Sequence, residues 1–288
     1  MKVAPFALAA VLSLAAAAGL AKAQAPVPTA AEWRTPDPEN VLVFETSKGR
    51  IIVEMTPAAA PNHVERIRSL ARAGFYDGLS FFRVIDSFMA QTGDPQNTGI
   101  GGSDLPDLQA EYPFRRGAAP AFTVIDRLPG DFNTPSATEV GFLGVLPVRS
   151  LPSMQMMLAA DGKVTSWGLF CPGVMGMARA SSPHSANSQF FFMRQAYPSL
   201  DNDYTAWGRV IVGLDVVRAI KVGEPVAAPQ DAMKTVRVLA DLPAAQRPKV
   251  QVLDVAGPTF RAMVADVKAK AGGRPLNPCD IEIPAKVG

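Results

Sequence analysis

Histidine and cysteine are scarce in this chain, with two of each among 288 residues. His63 and His184 lie far apart, and no serine or cysteine nucleophile is patterned beside either. That argues against a catalytic triad or a histidine-based metal centre. Cys171 and Cys279 show no metal-ligand spacing, so no metal centre is expected on them. Charge is sparse as well: 19% of residues are charged, for a formal net charge of +2. Lys2 and Lys22 belong to the leader described next, and without them the two signs balance. There is no basic stripe for nucleic acid and no acidic tail. What the chain has in quantity is apolar surface, 48% of residues, enough to bury a sizeable core.

The first residues have the pattern of a secretory signal. Lys2 supplies a positive start, an Ala/Leu/Val stretch runs from Pro5 to Leu20, and Ala21-Lys22-Ala23 places small residues at a cleavage site before Gln24. A competing site is Gln24-Ala25. The stretch is Ala-rich and shorter than the ~20 residues of a spanning helix, which disfavours a permanent anchor. No later run is long enough to span. The expectation is a signal peptide at 1–23 and a soluble, periplasmic mature protein, off the membrane after cleavage. An oxidising compartment permits one disulfide between Cys171 and Cys279; two unrelated buried thiols are the alternative.

Residues 24–40 are Ala/Pro-rich, then polar, and are expected to form a flexible leader. Val41–Thr46 and Arg50–Met55, joined by Ser47-Lys48-Gly49, predict a β-hairpin. A helix follows, with Pro61 in its first turn, a Val64/Ile67/Leu70/Ala71 stripe and Gly74 at its end. His63 is expected on its solvent face. Strands are expected at 80–89, 176–180, 188–193, 204–210 and 235–242, with a short helix at 214–220. Two segments look added. One, at 118–172, is rich in Pro, Gly and Met, with Asp161-Gly162 as a hairpin turn. The other, at 243–288, has a strand at Val250–Leu253 and a helix with Phe260, Met263, Val264 and Val267 on one face. Asp94 and Asp201 are read as turn residues.

Two blocks carry a resemblance. The first is Phe81-Phe82-Arg83-Val84-Ile85-Asp86-Ser87-Phe88-Met89-Ala90-Gln91-Thr92-Gly93-Asp94. The second is Met177-Ala178-Arg179-Ala180 followed by Asn187-Ser188-Gln189-Phe190-Phe191-Phe192. Together they resemble the signature of the cyclophilins, peptidyl-prolyl cis-trans isomerases. The resemblance implies a mainly β fold, a closed antiparallel eight-stranded β-barrel capped by helices. The domain would occupy 41–242 with 118–172 inserted, and 243–288 would be a C-terminal extension packed on it. The resemblance puts Arg83 on the catalytic arginine and Phe88, Met89, Phe191 and Leu200 on the proline pocket. Gln91 and Gln189 fall beside the substrate backbone, and Ala178 and Arg179 on the edge segment that pairs with it. Gly99-Ile100-Gly101-Gly102 resembles the glycine loop of the neighbouring pocket. Ser199 and Tyr204 stand where many members have Trp and His; the missing indole argues against cyclosporin sensitivity.

The chemistry suits these residue types. Rotation about an X-Pro amide has a barrier of roughly 18–20 kcal/mol, yet no bond need break. In the twisted state the proline nitrogen regains a lone pair. A guanidinium such as Arg83, permanently protonated and rigid, can donate to it. The expected partners are proline-containing polypeptides, unfolded or exported, and the expected state is a monomer. The alternative is a non-catalytic module or chaperone that binds proline segments, against which the intact Arg83 and Gln91 argue. A third reading makes the insertion an oligomer contact.

Overall fold

The computed structural model describes residues 27–130 and 134–288, so the expected signal peptide lies outside the described residues. In chain order the strands begin with β1 (Trp33–Arg34), β2 (Val41–Thr46) and β3 (Arg50–Met55). Helix α1 (Pro61–Arg72) precedes β4 (Arg83–Val84) and β5 (Met89–Thr92). Then come β6 (Phe114–Arg116), β7 (Phe122–Leu128), β8 (Thr138–Leu143), β9 (Leu146–Ser150) and β10 (Val164–Gly168). The chain continues through β11 (Val174–Met177), β12 (Phe190–Met193), β13 (Ala206–Val212), α2 (Leu214–Ala219) and β14 (Met233–Val238). It ends with β15 (Val250–Leu253), α3 (Pro258–Lys270) and β16 (Ala285–Val287). No described helix is long and apolar enough to cross a membrane.

The protein is mainly β with few helices. Its largest sheet has eight strands, in the order β14-β2-β3-β13-β11-β12-β5-β4, all antiparallel. The expected closed barrel is corrected here: the edge strands β14 and β4 share no ladder, and the sheet stays open. Residues just before the two strands meet in one isolated bridge, Ser80 with Ala232, flanked by the Phe81 N–H to Asp231 and Met233 N–H to Leu79 hydrogen bonds. The cause is the shortness of β4. Ile85 and Phe88 close a turn there, so the expected strand over 80–89 is two short strands. Inside the curl, Phe44, Phe190, Phe192 and Trp207 are buried and packed largely edge to face, the geometry that aromatic quadrupoles favour.

Helix α1 buries Val64, Ile67, Leu70 and Ala71 as its periodicity predicts, but it also buries His63, fully. The solvent-face expectation fails because of a partner far away in sequence. Ala60 offers no capping side chain, and Glu111 caps the helix instead. Its Oε1 accepts from the Asn62 N–H (3.0 Å), and its Oε2 from the His63 N–H (3.0 Å), with His63 Nδ1 at 2.6 Å. Burial pushes the Glu111 carboxyl up, but these hydrogen bonds outweigh it and hold the pKa below the usual value.

A second sheet of five strands, β6-β10-β9-β8-β7, begins at Phe114, slightly before the insertion boundary at 118. Asp161-Gly162 is not a hairpin turn: it joins a 3-10 segment, Ser153–Leu158, to β10, while the tight hairpin is β8–β9 at Gly144-Val145. A third sheet, β1-β15-β16, unites both ends of the described chain. Residues 30–40 of the expected flexible leader are therefore anchored. Glu32 is buried and accepts from the Thr259 N–H (2.7 Å) at the start of α3, while Arg34 makes a two-pronged ion pair with Glu54.

Cys171 and Cys279 are joined by a disulfide across 108 residues of sequence, tying the start of β11 to the C-terminal extension. A loop of that length gives chain-entropy stabilisation of up to about 5 kcal/mol. The double substitution Cys171→Ser/Cys279→Ser should lower unfolding stability by about 2–5 kcal/mol. Urea titration of oxidised wild type and the variant measures this directly; equal midpoints would refute it.

Candidate active site

Alternation along four neighbouring strands builds the site. Arg83 on β4 faces Gln91 on β5, Gln91 faces Phe191 on β12, and Phe191 faces Gly176 on β11. The adjacent row, Val84, Ala90, Phe192 and Met175, belongs to the core inside the curl. Because strand side chains alternate with a period of two, the first row is forced onto the outer face.

On that face the polar groups form a directed relay. Arg83 Nη1 donates to Gln91 Oε1 (3.3 Å) and Gln91 Nε2 donates to Gln189 Oε1 (2.9 Å). Gln189 Nε2 ends the relay on the carbonyl of Gly101 (2.8 Å). Each amide is thus fixed with its oxygen towards the arginine. Arg83 Nε donates to Glu224 Oε1 (2.6 Å).

The apolar groups gather beside it. Met89, Phe191 and Leu200 are buried in one cluster, with Phe88 and Tyr204 partly buried against it. Phe191 lies across Gly176, where a Cβ would come within 2.3 Å of the ring, so only glycine leaves the ring its place. Phe170 packs beside Phe191 over the same glycine (centroids 5.9 Å apart), and Tyr204 meets Phe191 edge-on (6.0 Å). Tyr197 covers Phe88 at 4.3 Å.

On the far side, the Ala178 N–H donates to the Gln189 carbonyl (3.0 Å). Arg179 donates from Nη1 to the Ala180 carbonyl of its own loop (3.0 Å) and from Nη2 to Asp203 Oδ1 on the segment before β13 (2.9 Å), with its guanidinium over Tyr204 (4.3 Å). Asp94 is a buried organiser of the glycine loop, accepting from the N–H groups of Gln96, Thr98 and Gly99. The carbonyl of Gly101 and the exposed Ile100 border a depression of about 450 Å³ between this loop and Ala178–Ala180.

The description of the family whose model matches, over residues 41–240, is cyclophilin type peptidyl-prolyl cis-trans isomerase/CLD. The chain belongs to the cyclophilins. A Brucella suis protein named "Probable peptidyl-prolyl cis-trans isomerase" is 33% identical over 222 residues, covering 73% of this chain and 85% of that protein. A Staphylococcus saprophyticus protein named "Putative peptidyl-prolyl cis-trans isomerase" is 30% identical over 196 residues, covering 67% and 85% of the two chains. Among solved structures, the cyclophilin AquaCyp293 from Hirschia baltica superposes with a TM-score of 0.78 at 34% identity, over 88% of this chain and 93% of its own. This cyclophilin is a peptidyl-prolyl cis-trans isomerase.

Three neighbours of the cyclophilin site carry no signal in the motif blocks. Phe170 sits within the segment read as an insertion, Tyr197 precedes the short Pro198–Leu200 turn, and Glu224 lies more than a hundred residues from Arg83. A fourth, Asp201, is more than a turn residue. It follows Leu200 and accepts from the Phe170 N–H (2.8 Å), joining two segments of the apolar cluster. Burial pushes its carboxyl up to about 6, only partly offset by that N–H and by the charge of Arg149.

An acid whose folded pKa is raised favours the fold while protonated. The Asp201 contribution is therefore full below its unfolded pKa near 4 and is lost as pH rises through about 6. Asp201→Asn, which keeps the acceptor for Phe170 without the charge, should gain about 1–2 kcal/mol of stability at pH 7.5. It should gain almost nothing at pH 4. Urea midpoints at the two pH values test this, and an equal gain at both would rule it out.

Proposed function

We propose that this enzyme isomerises X-Pro bonds of unfolded, exported polypeptides in the periplasm, with Arg83 as its catalytic residue. The observation that carries the assignment is the Arg83–Gln91–Gln189 relay beside the apolar cluster of Phe88, Met89, Phe191 and Leu200. A proline ring seated on that cluster leaves water, and its amide lies along the relay. Arg83 retains N–H donors beyond those given to Gln91 and Glu224, because a guanidinium carries five. These donate to the proline nitrogen only when the amide twists and its lone pair is released. An interaction made only in the twisted state lowers the barrier without tightening ground-state binding.

Gln91 acts through its amide, holding Arg83 and offering polarity to the substrate carbonyl. Gln189 fixes Gln91 and is in turn anchored on the glycine loop. The catalytic unit is assigned to 41–242, with 118–172 inserted and 243–288 packed on it as an extension. Export is supported by the signal-like first 23 residues and by a disulfide suited to an oxidising compartment. X-Pro isomerisation takes tens of seconds unaided, which makes folding assistance the natural role there. The enzyme is assigned as a monomer.

The test is cis-to-trans relaxation of a short X-Pro peptide by residues 24–288. Arg83→Ala, shown to be folded by circular dichroism, should lose about 100-fold or more in kcat/KM. Retention of the native rate would remove Arg83 from the mechanism.

A further inference from the structure

Arg83 is held from both sides of its strand. On one side β5 supplies Gln91. On the other, the segment after α2 runs directly against β4. Val84 and Gly223 exchange both main-chain hydrogen bonds (Val84 N–H to Gly223 O at 2.8 Å, Gly223 N–H to Val84 O at 2.9 Å), and the Val226 N–H donates to Phe82 O (2.9 Å). Between those two anchors stands Glu224. The bend that presents it is tight: a Cβ on residue 223 would come within 2.7 Å of Val226 Cα and 2.9 Å of Pro225 O, so Gly223 has no substitute there. A segment fixed so closely to β4 places the Glu224 carboxylate at 2.6 Å from Arg83 Nε.

We infer that Glu224 is a positioning residue for isomerisation, which fixes the Arg83 guanidinium through Nε and so aims its outer donors at the substrate amide. The inference deepens the assignment of Arg83 above and rests on it. Two constraints are needed because an arginine side chain has four rotatable bonds. The single Gln91 contact, at 3.3 Å, sets the distance but leaves the plane of the guanidinium free to turn. Bonds at Nε and Nη1 together define that plane. The remaining hydrogens on Nη1 and Nη2 then share it, and a donor must lie in a fixed direction to meet a lone pair that exists only in the twisted amide. The pair is solvent-accessible, with side-chain exposures of 36% for Arg83 and 55% for Glu224. It therefore contributes little to folding, and its value lies in orientation.

Three variants in the peptide relaxation assay test this: Glu224→Ala, Glu224→Gln and Arg83→Ala. Glu224→Ala should lower kcat by about five- to tenfold with KM unchanged, the pattern of an interaction realised in the transition state. Glu224→Gln keeps an acceptor for Nε and should stay within about twofold of the native rate. Thermal unfolding of both should match the native chain. In 15N spectra the Arg83 Nε–H resonance, assigned by its loss in Arg83→Ala, should shift in Glu224→Ala and remain near its native position in Glu224→Gln. Native or higher kcat for Glu224→Ala, with Arg83→Ala inactive, overturns the role of Glu224 alone. Native activity in Arg83→Ala overturns the assignment of Arg83 and this inference with it. Failure of Glu224→Gln to rescue, with its acceptor present, also overturns it.

Discussion

The main-chain register of β4, β5, β12 and β11 decides where every group of the site stands. It opposes Arg83 to Gln91, Gln91 to Phe191 and Phe191 to Gly176 in one unbroken row. The next row holds Val84, Ala90, Phe192 and Met175, all in the core. Slipping β12 by a single residue would expose Phe192, and slipping β4 by one would bury Arg83 without a partner. Both errors are expensive, so the hydrophobic core and the outer face enforce the same register. Sheet and site are specified by a single set of hydrogen bonds.

Rigidity on the outer face comes from elements remote in sequence. Phe191 is held against the bare backbone of Gly176 and the ring of Phe170. Phe170 stands at the end of the second sheet, next to Cys171, whose disulfide reaches the C-terminal extension. That extension pairs through β15 with β1, and Glu32, beside β1, accepts from the first turn of α3. The pocket wall is thereby connected to both ends of the described chain. The charged end of the site is built differently, by short contacts between segments on either side of β4.

Much of this was legible from residue order. The β2–β3 hairpin, α1, β15 and α3 follow from local period, turn chemistry and caps, and their bounds come from short-range rules. Arg83, Gln91, Phe191 and Gln189 were legible because two motif blocks retain their spacing. What could not be read depends on long-range partners. His63 belongs to the core because Glu111 meets it from nearly fifty residues away. The segment before β2 is ordered because β15 pairs with it from the other end of the chain. The extent of β4 is limited by a turn at Ile85–Phe88 that an apolar run does not announce. Glu224 has no motif of its own; only the Val84–Gly223 bridge brings it to Arg83.

The placement of the one carboxylate has an electrostatic logic. Along the row towards the glycine loop, the partners of Arg83 are neutral amides, Gln91 and then Gln189, ending on a backbone carbonyl. A carboxylate in that inner position would accept strongly from the guanidinium, competing with the weak lone pair of a twisted proline nitrogen. It would also have to be stripped of water when a peptide covers the groove. An amide is neutral, costs less to desolvate than a carboxylate and, having both a donor and an acceptor end, keeps the relay pointing one way. Glu224 lies on the outer side, bonds Nε and stays more than half exposed, where solvent screens its charge. Polarity therefore decreases from the rim towards the apolar cluster of Phe88, Met89, Phe191 and Leu200. Arg83 stands at the step between them, charged enough to donate and held firmly enough to do so in one direction.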